Sequence, residues 1–178
     1  IAQYNLALQL EAKGKLPEAA AWYQKAAAQK LREAEYNVGY MYAHGQSLPQ
    51  SDVNAALWFQ KAADQGLAVA QHMMGFLCTE GRGVPESFAK AIDWHSKAAE
   101  QGHAEAQFQL GLSTHGLALG LGSSEKHAEA AEWYRKAADQ GLASAQYAVA
   151  LMYVSGRGVP QDDTQAMAWW RQAADQGH

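Results

Sequence analysis

The sequence predicts an all-α solenoid of about five antiparallel helical hairpins, and three observations carry that prediction. Trp22, Trp58, Trp94, Trp133 and Trp169 follow one another at intervals of 36, 36, 39 and 36 residues, a period typical of stacked helical repeats. A similar string closes four of the five periods: Lys61-Ala62-Ala63-Asp64-Gln65-Gly66, Lys97 to Gly102, Lys136 to Gly141 and Gln172 to Gly177. The first copy, Lys25 to Lys30, lacks only the final glycine. Of 178 residues, 37 are alanine, whereas valine and isoleucine together number nine, a balance that favours helices over strands. Cutting at these marks leaves no remainder: residues 1–178 read as a single solenoid domain with repeats 1–31, 32–67, 68–103, 104–142 and 143–178.

Each repeat reads as two helices. The first repeat is short, with the linker Lys13-Gly14-Lys15-Leu16-Pro17 between its helices. In the second, Ala34, Val38, Met41 and Tyr42 share one face of a first helix, and Ala55, Trp58, Phe59, Ala62 and Ala63 share a face of the second, a three-to-four-residue period rather than an alternation. The expected first-helix stops are Gly45, Gly81, Gly116 and Gly156, and the second-helix stops are Gly66, Gly102, Gly141 and Gly177, because glycine takes the left-handed helix-ending conformation without steric cost. Between helices, Gly81-Arg82-Gly83-Val84-Pro85 and Gly156-Arg157-Gly158-Val159-Pro160 forbid a continuous helix. The fourth repeat replaces this turn with Gly116 to His127, three residues longer, which marks it for local irregularity. The tryptophans are expected to fill grooves between stacked hairpins. Ala62, Ala63, Ala98, Ala99, Ala137, Ala138, Ala173 and Ala174 are expected to admit neighbouring helices. One hairpin cannot bury these faces alone, so the hairpins must stack.

The run Gly75-Phe76-Leu77-Cys78, Gly81-Arg82-Gly83-Val84, Ala91, Trp94, Lys97-Ala98-Ala99, Gly102 and Ala104-Glu105-Ala106-Gln107 resembles the Sel-one-like repeat, a branch of the tetratricopeptide superfamily. The fifth repeat matches again at Leu151-Met152-Tyr153, Gly156-Arg157-Gly158-Val159, Asp162, Ala166, Trp169 and Ala173-Ala174. The resemblance implies a right-handed superhelical, tetratricopeptide-like solenoid whose first helices line a concave surface. It further implies an adaptor or scaffold role without a cofactor, and it favours a bacterial periplasmic or secreted setting over a cytoplasmic one.

Function then rests on the face that packing leaves over. Three residues before Gly39, Gly75, Gly111 and their counterparts Ala7 and Ala150 stand Tyr36, His72, Phe108, Tyr4 and Tyr147; one residue after stand Tyr40, Phe76, Leu112, Leu8 and Leu151. The first ladder is either interior or part of the groove, and the second is the better candidate for the groove floor. Asn37, His44, Glu80 and His115 would add hydrogen bonds to a peptide held by apolar anchors.

Other classes find little support. The seven histidines (44, 72, 95, 103, 115, 127 and 178) include no pair three or four apart, so a metal site would need ligands from several repeats. Cys78, the only cysteine, stands where other repeats have Tyr42 and Tyr153 and reads as a small core residue. Gly116 to Ser124 lacks the Gly-Lys-Ser/Thr ending of a phosphate loop and follows a helix. No Gly-x-Ser-x-Gly elbow occurs, and Asp64, Glu100 and Asp139 recur as solvated helix ends would. The resemblance brings one enzymatic alternative, β-lactam binding or hydrolysis, associated with cysteine-rich bacterial members that pair two cysteines per repeat. RNA binding by one-base-per-repeat arrays is a third reading, opposed by a net charge of -4 and no Lys/Arg cluster. Apolar stretches such as Tyr147 to Val154 are far too short to span a membrane. A start at Ile1 suggests a processed or cut chain, and Trp169-Trp170 near the end suggests further repeats, a capping helix or self-association through the last repeat.

Overall fold

The computed structural model describes residues 1–177, and among them it contains ten α-helices and no strand. In chain order these are α1 (Ala2–Ala12), α2 (Leu16–Ala27), α3 (Arg32–His44), α4 (Asp52–Asp64), α5 (Ala68–Glu80), α6 (Phe88–Glu100), α7 (Ala104–Leu121), α8 (Ser124–Asp139), α9 (Ala143–Ser155) and α10 (Asp163–Ala174). The fold is an all-α solenoid of helical hairpins. Contacts gather in two compact units, residues 1–94 and from 95 onward. In the first, α1 packs on α2 and α3 on α4, with α2 against α3 and α4 against α5; in the second, α7 packs on α8, α8 on α9 and α9 on α10. His178, one of the histidines considered from the sequence, lies outside the described residues.

Local chemistry sets each helix end. Gly66 takes φ +80°, its N–H donates to Ala63 O at 2.9 Å, and the Leu67 N–H donates to Ala62 O at 3.1 Å. This pair of bonds closes a helix through a left-handed glycine. Leu67 is at the same time the N-cap of α5, so one residue ends one helix and begins the next. Gly102 and Gly141 repeat the arrangement. In the first repeat Lys30 takes the glycine's place and still adopts φ +60°. The second helices of repeats two to five begin at side-chain caps: Ser51 accepts from Asn54 N–H, Ser87 from Lys90, Ser123 from Lys126 and Asp162 from Gln165.

The fourth repeat corrects the sequence reading. α7 does not stop at Gly116 but runs to Leu121 and ends at Gly122, φ +63°. The stretch from Gly116 lacks the Gly-Arg-Gly-Val-Pro signal, and Leu117-Ala118-Leu119 continues the helix with Ala118 buried. The extra residues lengthen a helix instead of loosening a turn.

The tryptophans also differ from expectation. Trp58 packs against the core cluster of the first two repeats, Trp94 against the α4–α5 cluster and Trp169 against the α8–α9 cluster, as groove fillers should. Yet all are only half-buried. A lysine three residues on covers the ring face at Trp22, Trp58 and Trp133, with Nζ 3.8 to 4.0 Å from the ring centroid. The deeper ring is the next residue: Tyr23 and Phe59 are fully buried, and Tyr134 nearly so. Phe59 and Tyr134 each face a glycine on the first helix. A Cβ built on Gly39 would lie 2.8 Å from Phe59 Cδ1, and one on Gly111 2.6 Å from Tyr134 Cδ1. Those rings in turn meet the first-ladder aromatics: Tyr4–Tyr23 5.7 Å, Tyr36–Phe59 5.5 Å and Phe108–Tyr134 5.7 Å between centroids.

A second recurring device ties first helices to the preceding hairpin. Buried Gln71, Gln107 and Gln146 donate from Nε2 to the carbonyls of Ala63, Ala99 and Ala138 at 3.2 to 3.3 Å. Gln107 and Gln146 also accept, through Oε1, from Gln140 and Gln176. In the second repeat the place belongs to Glu35, 3% exposed, which accepts from Gln65 Nε2 at 2.6 Å. Burial pushes the Glu35 carboxyl above its usual range, against the opposing pull of Gln65, Lys61 and Lys30.

Four outcomes follow. Gly39→Ala and Gly111→Ala force a ring to move and are expected to destabilise by about 1–3 kcal/mol. Gly116→Ala and Gly120→Ala, helical and with nothing within 4 Å of an added Cβ, are expected to stabilise by about 0.5–1 kcal/mol; loss of stability there would mean that the segment is a turn. Urea titration of the four variants measures both effects. Lys30→Gly relieves a left-handed lysine and is expected to raise the melting temperature by a few degrees. Because the folded state holds the Glu35 proton more tightly than the unfolded chain does, the ionised carboxylate costs stability above its folded pKa and nothing once both states are protonated. Glu35→Gln restores the repeat's donor and is therefore expected to stabilise by about 1 kcal/mol at pH 7, with the gain shrinking as pH falls through the carboxylate range. A pH-independent difference in thermal melts would contradict this account.

Candidate groove of the first helices

Packing uses one face of each first helix and leaves a stripe outside. Leu8, Tyr40, Phe76, Leu112 and Leu151 are 42, 38, 40, 44 and 44% exposed. All five members of the second ladder thus keep an open apolar surface. The first ladder divides: Tyr4, Tyr36, His72 and Phe108 are half-buried against their own hairpins, and Tyr147 is exposed.

In the first unit, Tyr36, Tyr40 and His44 are spaced four apart along α3. Tyr36 and Tyr40 have centroids 6.5 Å apart, and Tyr40 stacks on His44 at 3.9 Å, with a 26° interplanar angle. His44 Nδ1 lies 2.9 Å from the Tyr40 carbonyl oxygen, which fixes the imidazole over the ring. Burial raises the Tyr36 hydroxyl pKa, and Tyr40 adds to the shift. His72, Phe76 and Glu80 take the same spacing on α5, from half-buried to exposed.

In the second unit five candidates meet. Phe108, Leu112 and His115 of α7 and Tyr147 and Leu151 of α9 line one cavity of about 570 Å³, together with Tyr134 of α8. Burial pushes the Tyr134 hydroxyl up to about 12, so it stays protonated. His115 sits 6.3 Å from the Tyr134 ring and 5.1 Å from the His127 ring. Burial holds the His115 imidazole below its ordinary pKa, and repulsion from His127 and Arg157 adds to this. The remaining wall includes Ser144, Ser155 and Arg157.

Sequence reasoning overlooked Tyr134, His127 and Arg157. Tyr134 could have been found as the aromatic that follows a repeat tryptophan, like Tyr23 and Phe59. Arg157 was visible as the Gly-Arg-Gly arginine, but its position at the cavity depends on how α9 ends.

The cavity lining is predominantly apolar. Among the described residues no group of three or more His, Cys, Asp and Glu could hold a metal ion. Cys78 is buried, and burial raises its thiol pKa, which makes it a poor nucleophile. The stretch from Gly116, set apart from a phosphate loop by its sequence, is helical as far as Leu121. No helix among the described residues is long and apolar enough to cross a membrane.

The Sel1 repeat family model matches residues 1–31, 32–67, 68–103, 104–142 and 143–178. Among solved structures, the chain is similar to a protective antigen present in uropathogenic Escherichia coli strains displaying an SLR fold. That match has 38% identity and a TM-score of 0.88, over 99% of this chain and 38% of the antigen. It is similar also to a Sel1 repeat protein from Oxalobacter formigenes, with 32% identity and a TM-score of 0.88, over 98% of this chain and 68% of that one. An immunity protein from Pseudomonas aeruginosa, at 21% identity and a TM-score of 0.60 over 99% of this chain and 65% of its own, shares the fold alone. The chain thus spans little more than a third of the antigen's length. No curated protein matches it. Five matched repeats and two structural relatives above 30% identity place the chain in the Sel1 repeat family.

Proposed function

We propose that the protein is a non-catalytic scaffold that holds a protein or peptide partner on the outer stripe of its first helices. The observation that carries this reading is the recurrence of a large apolar side chain, close to 40% exposed, at one register of all five first helices. Monomeric surfaces scatter such residues singly, whereas their repetition on the first helices within each unit points to a binding surface. Sel1 repeat proteins commonly serve as protein-interaction scaffolds, in keeping with the same reading. The cysteine-rich, β-lactam-directed alternative loses its basis in a chain with one buried cysteine. A net charge of -4 disfavours tracking of nucleic-acid phosphates.

Cross-linking pull-down with mass spectrometry identifies the partner, and substitution then tests the surface. Tyr40→Ala and Phe76→Ala each remove an exposed anchor and are expected to weaken partner binding about tenfold or more, with helical circular dichroism unchanged. Loss of helicity together with binding would assign both residues to the core. Full binding by both variants would remove the stripe of the first unit from the interface.

A further inference from the structure

The loop that follows a first helix meets the preceding second helix in both units. A Cβ on Gly83 would lie 2.1 Å from the Asp52 carbonyl oxygen, and one on Gly158 2.2 Å from that of His127. Asp52 and His127 are therefore equivalent positions, each 31 residues before its glycine. In the first unit the neighbouring arginine is engaged: Arg82 donates from Nη2 to Asp52 Oδ1 at 2.7 Å and from Nε to Oδ2 at 3.2 Å. In the second unit the carboxylate is replaced by an imidazole, which carries no negative charge to pair with a guanidinium. Arg157 has no side-chain hydrogen bond or ion pair among the described residues, and it stands near His115, whose protonation it opposes.

That arginine is at the rim of the 570 Å³ cavity. No aspartate or glutamate lines the cavity, and Arg157 is its one fully charged side chain among the described residues. An apolar floor therefore carries an unpaired positive charge at one corner, in a chain whose net charge is negative. The walls at Leu112 and Leu151 remain 44% exposed, so the cavity does not enclose a small ligand in the way that pockets for such molecules do. It suits one face of a peptide.

We propose that the α7–α9 cavity docks an apolar peptide segment bearing one acidic side chain. The apolar residues lie on Phe108, Leu112, Tyr147 and Leu151, and the carboxylate pairs with Arg157 as Asp52 pairs with Arg82. This rests on the scaffold reading and adds the partner's chemistry to it.

The test is selection of an mRNA-displayed random dodecapeptide library on the full chain, each peptide tethered through its C-terminus so that no free α-carboxylate is offered. Enriched peptides are then measured by fluorescence anisotropy. We expect enriched sequences to combine large apolar residues with an Asp or Glu, and Arg157→Gln to weaken them about five- to tenfold. Replacing that acidic residue by its amide should cost a similar factor, and the two losses should not add when combined. Arg157 is exposed, so R157Q is expected to fold, which circular dichroism checks. Enrichment of peptides without a carboxylate, or fully additive losses, overturns the proposal while leaving the groove as a binding site. Undiminished binding to the double variant L112E/L151E overturns the groove reading in this unit as well.

Discussion

Two helices approach closely where one of them carries little or no side chain. Gly39 and Gly111 supply such places, and the rings of Phe59 and Tyr134 lie where a methyl group would clash. Much else depends on that contact. With the ring turned fully inward, the preceding tryptophan is rotated part-way out, far enough to rest on the neighbouring hairpin and to have its exposed face covered by a lysine. The same rotation directs Ala62 and Ala63, or Ala137 and Ala138, into the interior. First-ladder rings close over the buried aromatic, and the next register of the first helix is left in solvent. A small residue on one helix thus decides which side chains of the other are structural and which register remains for binding.

Stacking adds a second constraint, since a helix end buried at a repeat junction needs partners for its carbonyls. Left-handed glycines and the buried glutamines answer that need together, the glutamine reaching a carbonyl of the previous hairpin while the glycine lets the chain turn into the next. Where the pattern lapses, at Lys30 and Glu35, the backbone and burial remain the same. The fold therefore imposes its geometry on residues that do not favour it. Both lapses fall at the junction of the first two repeats, which concentrates strain and an unfavourable buried carboxyl in one place.

Variation on a repeated frame is what distinguishes the binding surface of the second unit from that of the first. The Gly-Arg-Gly loop is common to both, yet exchange of Asp52 for His127 turns a satisfied ion pair into an unpaired guanidinium beside an apolar cavity. Longer α7 belongs to the same repeat, and with it the connection to α8 shortens to Gly122 and Ser123. Within the second unit, then, the departures from the repeat lie beside the cavity, whereas the packing residue Tyr134 keeps to the pattern.

Periodicity was enough to read the hairpins, the inward alanines at 62, 63, 98, 99, 137, 138 and 173, the buried cysteine and the second ladder as the open one, because each of these follows from spacing along a single helix; Ala174, expected to turn inward with its neighbour, is exposed. The stop assigned to Gly116 was wrong for a physical reason: glycine ends a helix when the chain beyond it prefers a turn, and Leu117-Ala118-Leu119 instead gains by burying Ala118 in a continued helix. Depth of the aromatic rings was equally beyond the sequence, since Trp133 and Tyr134 are adjacent and only the facing Gly111 decides which of them turns inward. Convergence of Phe108, Leu112, His115, Tyr147 and Leu151 on one cavity, with Arg157 at its rim, depends on how α7 and α9 come together through α8. By itself the sequence determined what repeats and which faces are apolar, since backbone hydrogen bonding and side-chain period are local. Tertiary structure alone decided which rings are buried and which charges find partners, because burial and pairing depend on neighbours 20 to 30 residues away in the chain.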